Sequence, residues 1–232
     1  MERTMTSKHI AKKQDTCCIF ENILALLGTD IKSDKQKAIL EASYNLFAEK
    51  GYHETTIDDI AHAAKVGKGT IYNYFSDKES ILTFLMDNTL RNALEKLGRI
   101  DVKEPIKAMS EYIRISFESM IDIAPLMMQC INMDMVIHNK DNKKKLHDGI
   151  NKAEKVLGDI LMEGKEQKTF TDQLGVDMPV SYAANNLSNM IHQYLMGLVI
   201  SHQDHSILRK DLHQHSEKLT NFILYGIAGK QK

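Results

Sequence analysis

Apolar residues recur along most of this chain at intervals of three and four, the spacing that lines one face of a helix. Ile39, Ala42, Leu46 and Phe47 share such a face. Ser33 is placed to cap that helix, with Asp34 favourable in its first turn, and Gly51 is placed to end it. Thr55 or Thr56 caps a second, short helix whose apolar positions are Ile57, Ile60, Ala61 and Ala64. Lys65-Val66-Gly67 reads as a turn, and a third helix runs from Lys68 to about Phe75. Ser76-Asp77-Lys78-Glu79 fits the S-x-x-E capping box at the start of a fourth, long helix striped by Ile81, Leu82, Leu85, Met86, Thr89 and Leu90. Further helices are predicted at 103–121, 124–138, 141–168, 178–203 and 207–227, with Pro105, Pro125 and Pro179 in first turns and a polar loop over 169–177. Upstream, Ile19, Phe20, Ile23, Leu24 and Leu27 predict a short extra helix stopped by Gly28, preceded by a polar, basic and unstructured arm over residues 1–15.

No run of alternating β-branched residues appears, and the 232 residues hold only 3 prolines and 12 glycines, so the fold class is all-α. The pattern divides the chain into an N-terminal extension, 1–31, a compact three-helix segment, 32–78, and a larger helical body, 79–232. Hydrophobic residues at 43% and charged residues at 26% are those of a globular protein. Cys17, Cys18 and Cys130 have no framework spacing, which argues against a disulfide scaffold and fits a reducing cytoplasm. The adjacent Cys17 and Cys18 favour a buried apolar role over a redox or metal site. No apolar run reaches the roughly 18–20 residues of a membrane span, and no signal-peptide pattern is found, so no membrane is expected as a partner. The formal net charge of −1 lends nothing to nucleic-acid binding, so any such function must rest on a local motif.

Residues 55–82, TTIDDIAHAAKVGKGTIYNYFSDKESIL, supply that motif. Two short helices joined by a tight turn, the second presenting polar side chains, are the parts of a helix-turn-helix. Ile57, Ile60, Ala61, Ala64, Val66, Ile71 and Phe75 pack inward, and the small Ala61 and Ala64 let the helices approach. Lys68, Thr70, Tyr72, Asn73 and Tyr74 remain for the outer face. Lys68 and Lys78 are suited to neutralise phosphates, and Thr56 and Thr70 offer hydroxyls to phosphate oxygens. The helix-start backbone around Gly67 and Gly69 adds N–H donors. Tyr72 and Tyr74 combine a hydroxyl for phosphate with a ring for sugar or a thymine methyl, and Asn73 is placed to read a base edge.

With these residues in view, 33–82 resembles the tetracycline-repressor (TetR) family of bacterial transcription regulators, most specifically in the G-T-I-Y-x-Y-F-x-x-K run. Two positions depart from the family pattern. Lys65 stands where a glycine is usual in the turn, at a cost of about 1 kcal/mol if left-handed. Gly67 stands where serine usually caps the recognition helix, a few tenths of a kcal/mol worse and one hydroxyl poorer. The resemblance implies a homodimer, with the last two helices forming a four-helix bundle with a second copy, that reads a near-palindromic double-stranded DNA operator. It also implies a small-molecule effector bound in the body, repression more than activation, and a cytoplasmic, nucleoid-associated protein.

Within the body, an apolar effector is the expectation, lined by Phe117, Met120, Ile121, Met127, Met128, Ile131 and Tyr194. Methionine suits pockets for varied apolar ligands, and it equally fills gaps in a core. Asn189 and His192, on one helix face with Asn185, either supply the polar groups of that pocket or face solvent or a second subunit. No three or four His, Cys or acidic residues converge in sequence, so neither a metal nor any other cofactor is expected. No set of nucleophile, base and oxyanion donor stands out, which argues against an enzyme. The alternative is a helix-turn-helix protein without effector, controlled by a protein partner or acting in chromosome or cell-division organisation.

Overall fold

The computed structural model describes residues 31–129, 140–170, 179–201, 208 and 210–225. Among them are eight helices: α1 (Asp34–Lys50), α2 (Ile57–Ala63), α3 (Lys68–Tyr72), α4 (Lys78–Leu97), α5 (Pro105–Gln129), α6 (Lys140–Glu166), α7 (Val180–Ser201) and α8 (Leu212–Tyr225). No strand occurs among the described residues. The basic arm, the helix expected at 17–27 and all three cysteines lie outside them.

The described residues fall into two compact units: 31–92, 122–129 and 140–142 in the first, and 93–121, 143–170 and the rest of the C-terminal part in the second. In the first, α1, α2 and α3 pack on one another. Their core holds Ile39, Leu40, Tyr44, Phe47, Ile60, Ile71 and Phe75, closed by Ile81, Leu82 and Leu85 of α4 and by Leu126. Tyr44 sits in this core and spends its hydroxyl on the Asp122 carbonyl at 3.2 Å, so a buried polar tip is satisfied. The second unit buries Leu97, Met109, Tyr112, Ile113 and Phe117 against Leu157, Ile160, Ala184, Ile191, Leu195 and Leu219.

The local signals work as chemistry requires. The Ser33 hydroxyl accepts the Gln36 N–H at 3.2 Å, and Gly51, at φ 98°, ends α1 with its N–H on the Phe47 carbonyl. Lys65 adopts φ 55°, the left-handed conformation expected of the turn. Gly67 caps α3 with no side-chain bond.

Two expectations are corrected. The capping box of α4 is built by Asp77 and Ser80, not Ser76 and Glu79. Ser80 N–H donates to Asp77 Oδ1 at 2.7 Å, and Asp77 N–H donates to the Ser80 hydroxyl at 3.2 Å. A carboxylate is the stronger acceptor for an orphan helix N–H, which moves the cap by one residue. The second correction is at Pro125, expected in a first turn but found inside α5. An internal proline costs about 3 kcal/mol. Ile121, Ala124 and Leu126 are all buried around it, and full burial of one Ile or Leu side chain is worth about 1.5–3 kcal/mol, so burial keeps the helix continuous.

Candidate nucleic-acid interface

α3 is held from beneath by Ile71, fully buried, and by Phe75 just beyond its end. This leaves Lys68, Gly69, Tyr72 and Asn73 exposed, with Tyr72 at 54%. Residues four apart share a helix face, so Lys68 pairs with Tyr72 and Gly69 with Asn73. Gly67 and Gly69 have nothing within 4 Å of where a Cβ would stand. The outer face of α3 is therefore open backbone, flanked by one cation, one aromatic ring and one amide.

Of the remaining predicted contacts, Thr56, Tyr74 and Lys78 are engaged within the protein. Thr56 caps α2 in a reciprocal box with Asp59: Asp59 N–H donates to Thr56 Oγ1 at 3.1 Å, and Thr56 N–H donates to Asp59 Oδ2 at 2.9 Å. The Thr56 hydroxyl also donates to Asp59 Oδ2 at 2.8 Å, so its proton is already in use. Lys50 Nζ donates to the same oxygen at 2.9 Å. Together the Lys50 ammonium and the Thr56 donors hold the Asp59 carboxyl far below the usual carboxylate range. Thr70 is half-buried. Tyr74 is half-buried against the core, its hydroxyl 2.6 Å from that of Ser33.

Lys78 is the largest departure from expectation. Its ammonium donates to the carbonyls of Tyr52 at 2.6 Å, Thr55 at 2.7 Å and His53 at 3.3 Å, and lies over the Tyr52 ring, 4.3 Å from the centroid. An ammonium has three donors, and three carbonyls meet them. Lys78 thus ties the connection between α1 and α2 to the start of α4. Asp58 was not foreseen either: its Oδ1 lies 2.6 Å from Lys68 Nζ.

In the second unit, Phe117 and Ile121 line a small cavity of about 10 Å3 with Leu195, Leu198, Val199, Leu208, Leu212 and His215. That is room for about one water molecule. Tyr194 is adjacent: its ring stands 6.0 Å from Phe117 and its hydroxyl 3.2 Å from His215 Nδ1, and burial pushes its phenol upward. Met120 packs against the core of this unit. Asn189 and His192 are exposed and are not brought to the cavity; Asn189 donates to Asn185, which donates to Glu154. Met127 and Met128 have side chains outside the described set, as does the whole of Ile131. The polar group that does face the cavity, His215, lies one turn from residues of the apolar stripe of α8, a signal visible only once α7 and α8 are paired. No cluster of three metal-ligating side chains occurs among the described residues, and no described helix is long and apolar enough to cross a membrane.

A short helix anchored by one isoleucine, displayed after a tight turn on a second helix, defines a helix-turn-helix domain of the DNA-binding class. Residues 39–83 match the model of "Bacterial regulatory proteins, tetR family". The chain is 30% identical over 91 residues to the uncharacterized HTH-type transcriptional regulator YuxN of Bacillus subtilis, covering 38% of this chain and 31% of that one. It is 25% identical over 167 residues to the fatty acid metabolism regulator protein of Bacillus subtilis, covering 71% of this chain and 86% of the relative. Among solved structures, it is similar to the transcriptional regulator FadR from Bacillus subtilis in complex with stearoyl-CoA, with TM-score 0.59 and 23% identity over 82% of this chain and 98% of that one. The chain spans about a third of the length of YuxN and less than two thirds of two further Bacillus subtilis regulators that it matches. Residues 39–83 thus carry a domain similar to that of the tetR family of bacterial regulatory proteins, and the chain shares the fold of regulators such as FadR.

Proposed function

We propose that this chain is a sequence-specific DNA-binding transcriptional regulator, acting as a homodimer and as a repressor released by a small apolar effector. The observation that carries it is the exposed row Lys68, Gly69, Tyr72 and Asn73 on a helix anchored by Ile71 within a tetR-family domain. Lys68 supplies a phosphate contact, Tyr72 a sugar or methyl contact, and Asn73 a bidentate partner for adenine. One helix of five residues reads few base pairs, and two-fold pairing supplies the missing specificity. Exposed apolar residues on the last two helices, Tyr182 and Ile200 of α7 and Phe222 and Tyr225 of α8, support a second copy as the partner. The similarity of its N-terminal domain to bacterial regulatory proteins supports the nucleoid, in the cytoplasm, as its place of action.

The effector reading draws on the apolar lining around Phe117 and Ile121 and on similarity to FadR, whose structure holds stearoyl-CoA. An acyl compound is accordingly the first effector to try; a cavity this small must open to admit it. The test is to sequence the DNA fragments that the protein enriches from its own genome and to repeat the binding with stearoyl-CoA. One enriched near-palindrome, bound by the wild type, lost with Asn73→Ala and released by the acyl-CoA, is the expected result. No specific band at any salt concentration would sink the DNA reading. Specific binding that no acyl compound alters would sink the effector reading alone.

A further inference from the structure

We infer that Asp58 serves as an internal substitute for a DNA phosphate on Lys68, and so lowers the general affinity of the helix-turn-helix for DNA. This rests on the DNA-binding reading above. Lys68 opens α3 and Asp58 is the second residue of α2, so the ion pair at 2.6 Å joins the two helices of the motif across their turn. The two side chains are 57% and 64% exposed, so packing does not force them together. The neighbouring carboxylate, Asp59, is taken by Lys50 and Thr56. Asp58 is therefore the acid that faces Lys68, on the surface where Tyr72 and Asn73 are also exposed.

A carboxylate and a phosphate offer lysine the same thing, an anionic oxygen for a compact ammonium. Lys68 cannot hold both at full strength. When DNA docks, Lys68 must move from Asp58 to a phosphate, and Asp58 is left beside the polyanion without its cation. That exchange is unfavourable for every duplex alike. A penalty common to all duplexes lowers every affinity and leaves their ratio unchanged, so that binding stays tight only where Tyr72, Asn73 and the rest of the interface find their partners. A chain with a formal net charge of −1 has little general attraction to DNA, and this pair lowers it further at the point of contact.

Asp58 also sits in the first turn of α2, where a negative charge favours the helix. That role alone predicts a loss of stability on substitution and no gain in affinity, which separates the two readings. The experiment is fluorescence anisotropy with full-length wild type, Asp58→Asn, Lys68→Gln and the double variant. Each is titrated over a salt series against a fragment enriched from the genome and against a random duplex, with folding checked by circular dichroism. Asp58→Asn is expected to tighten random-duplex binding about two- to fivefold at low salt, the range of an exposed ion pair. It should steepen the salt slope by up to about one ion and tighten the genomic fragment by a similar factor, leaving the ratio of specific to random affinity unchanged. In the Lys68→Gln background the same substitution should change random binding by a clearly smaller factor. Weaker or unchanged random-duplex binding by Asp58→Asn would overturn the inference, as would an undiminished effect without Lys68. A wild type that binds neither duplex overturns the DNA reading itself, and this inference with it.

Discussion

The hydroxyls of Ser33 and Tyr74 lie 2.6 Å apart, joining the residue that caps α1 to a residue two positions past the end of α3, 41 positions away. Ser33 already accepts the Gln36 N–H, so one serine both starts the first helix and fixes the exit of the third. The orientation of α3 is thereby referred to α1 through a side chain as well as through the core.

Ser33→Ala removes both bonds, and Tyr74→Phe removes one. Loss of a serine cap typically costs about 1 kcal/mol, and a neutral hydrogen bond about 0.5–1.5 kcal/mol. Urea denaturation should rank the variants wild type, Tyr74→Phe, Ser33→Ala in falling stability. Tyr74→Phe should retain the salt slope of DNA binding, since its hydroxyl is spent inside the protein; a slope reduced by about one would make Tyr74 a phosphate ligand instead.

Lys78 makes the same kind of prediction in stronger form. Replacing it by Met leaves the carbonyls of Tyr52, His53 and Thr55 without their common donor. A hydrogen bond to a charged group is worth about 1.5–3 kcal/mol, and a loss in that range is expected in denaturant titration. Lys78→Arg should not restore it, because a planar fork does not reproduce a three-way ammonium. Full stability in Lys78→Met would show that the cage contributes nothing.

Asp59 gives the motif an acid limit. Its carboxyl is held far below the usual range by Lys50 and Thr56, so the folded state binds its proton less readily than the unfolded chain. The stabilisation is present above the ordinary carboxylate pKa of about 4 and is lost as pH falls through the folded value. The melting temperature of Asp59→Asn should lie below that of the wild type at pH 7, and the two should converge in acid. A gap that persists at low pH would mean that charge is not the cause.

Tyr112 gives the second unit an alkaline limit. Burial, opposed by a hydrogen bond with Ser188 and aided by Glu154, pushes its phenol up to about 12 from an ordinary 10. Between those values the unfolded chain releases a proton that the folded protein retains, so stability falls as pH rises through this window. The slope from one such group approaches about 1.4 kcal/mol per pH unit. Tyr112→Phe should flatten the decline measured from pH 10 upward; an unchanged slope would assign it to other groups.

Features carried by a few consecutive residues were legible in the sequence. Ser33, Gly51, Thr56, the left-handed Lys65 and the bare Gly67 cap all stand as their local chemistry required, because each depends on neighbours within four positions. Features that depend on distant partners were not. Lys78 read as a free cation because the carbonyls that take it lie 23 to 26 residues earlier. Pro125 read as a helix start because the burial that holds it inside α5 is tertiary. Asn189 and His192 share a helix face in sequence, and only the packing of α7 reveals that this face looks outward.

The open flank of Gly67 and Gly69 has a further consequence. A Cβ added at either position meets nothing within 4 Å in the free protein, so packing does not oppose a substitution there. Gly67 caps the helix and Gly69 lies inside it, where replacing glycine by a better cap or helix former costs no stability. On the DNA-binding reading proposed above, these two positions are where a descendant of this chain can gain a new contact without first having to survive a loss of folding.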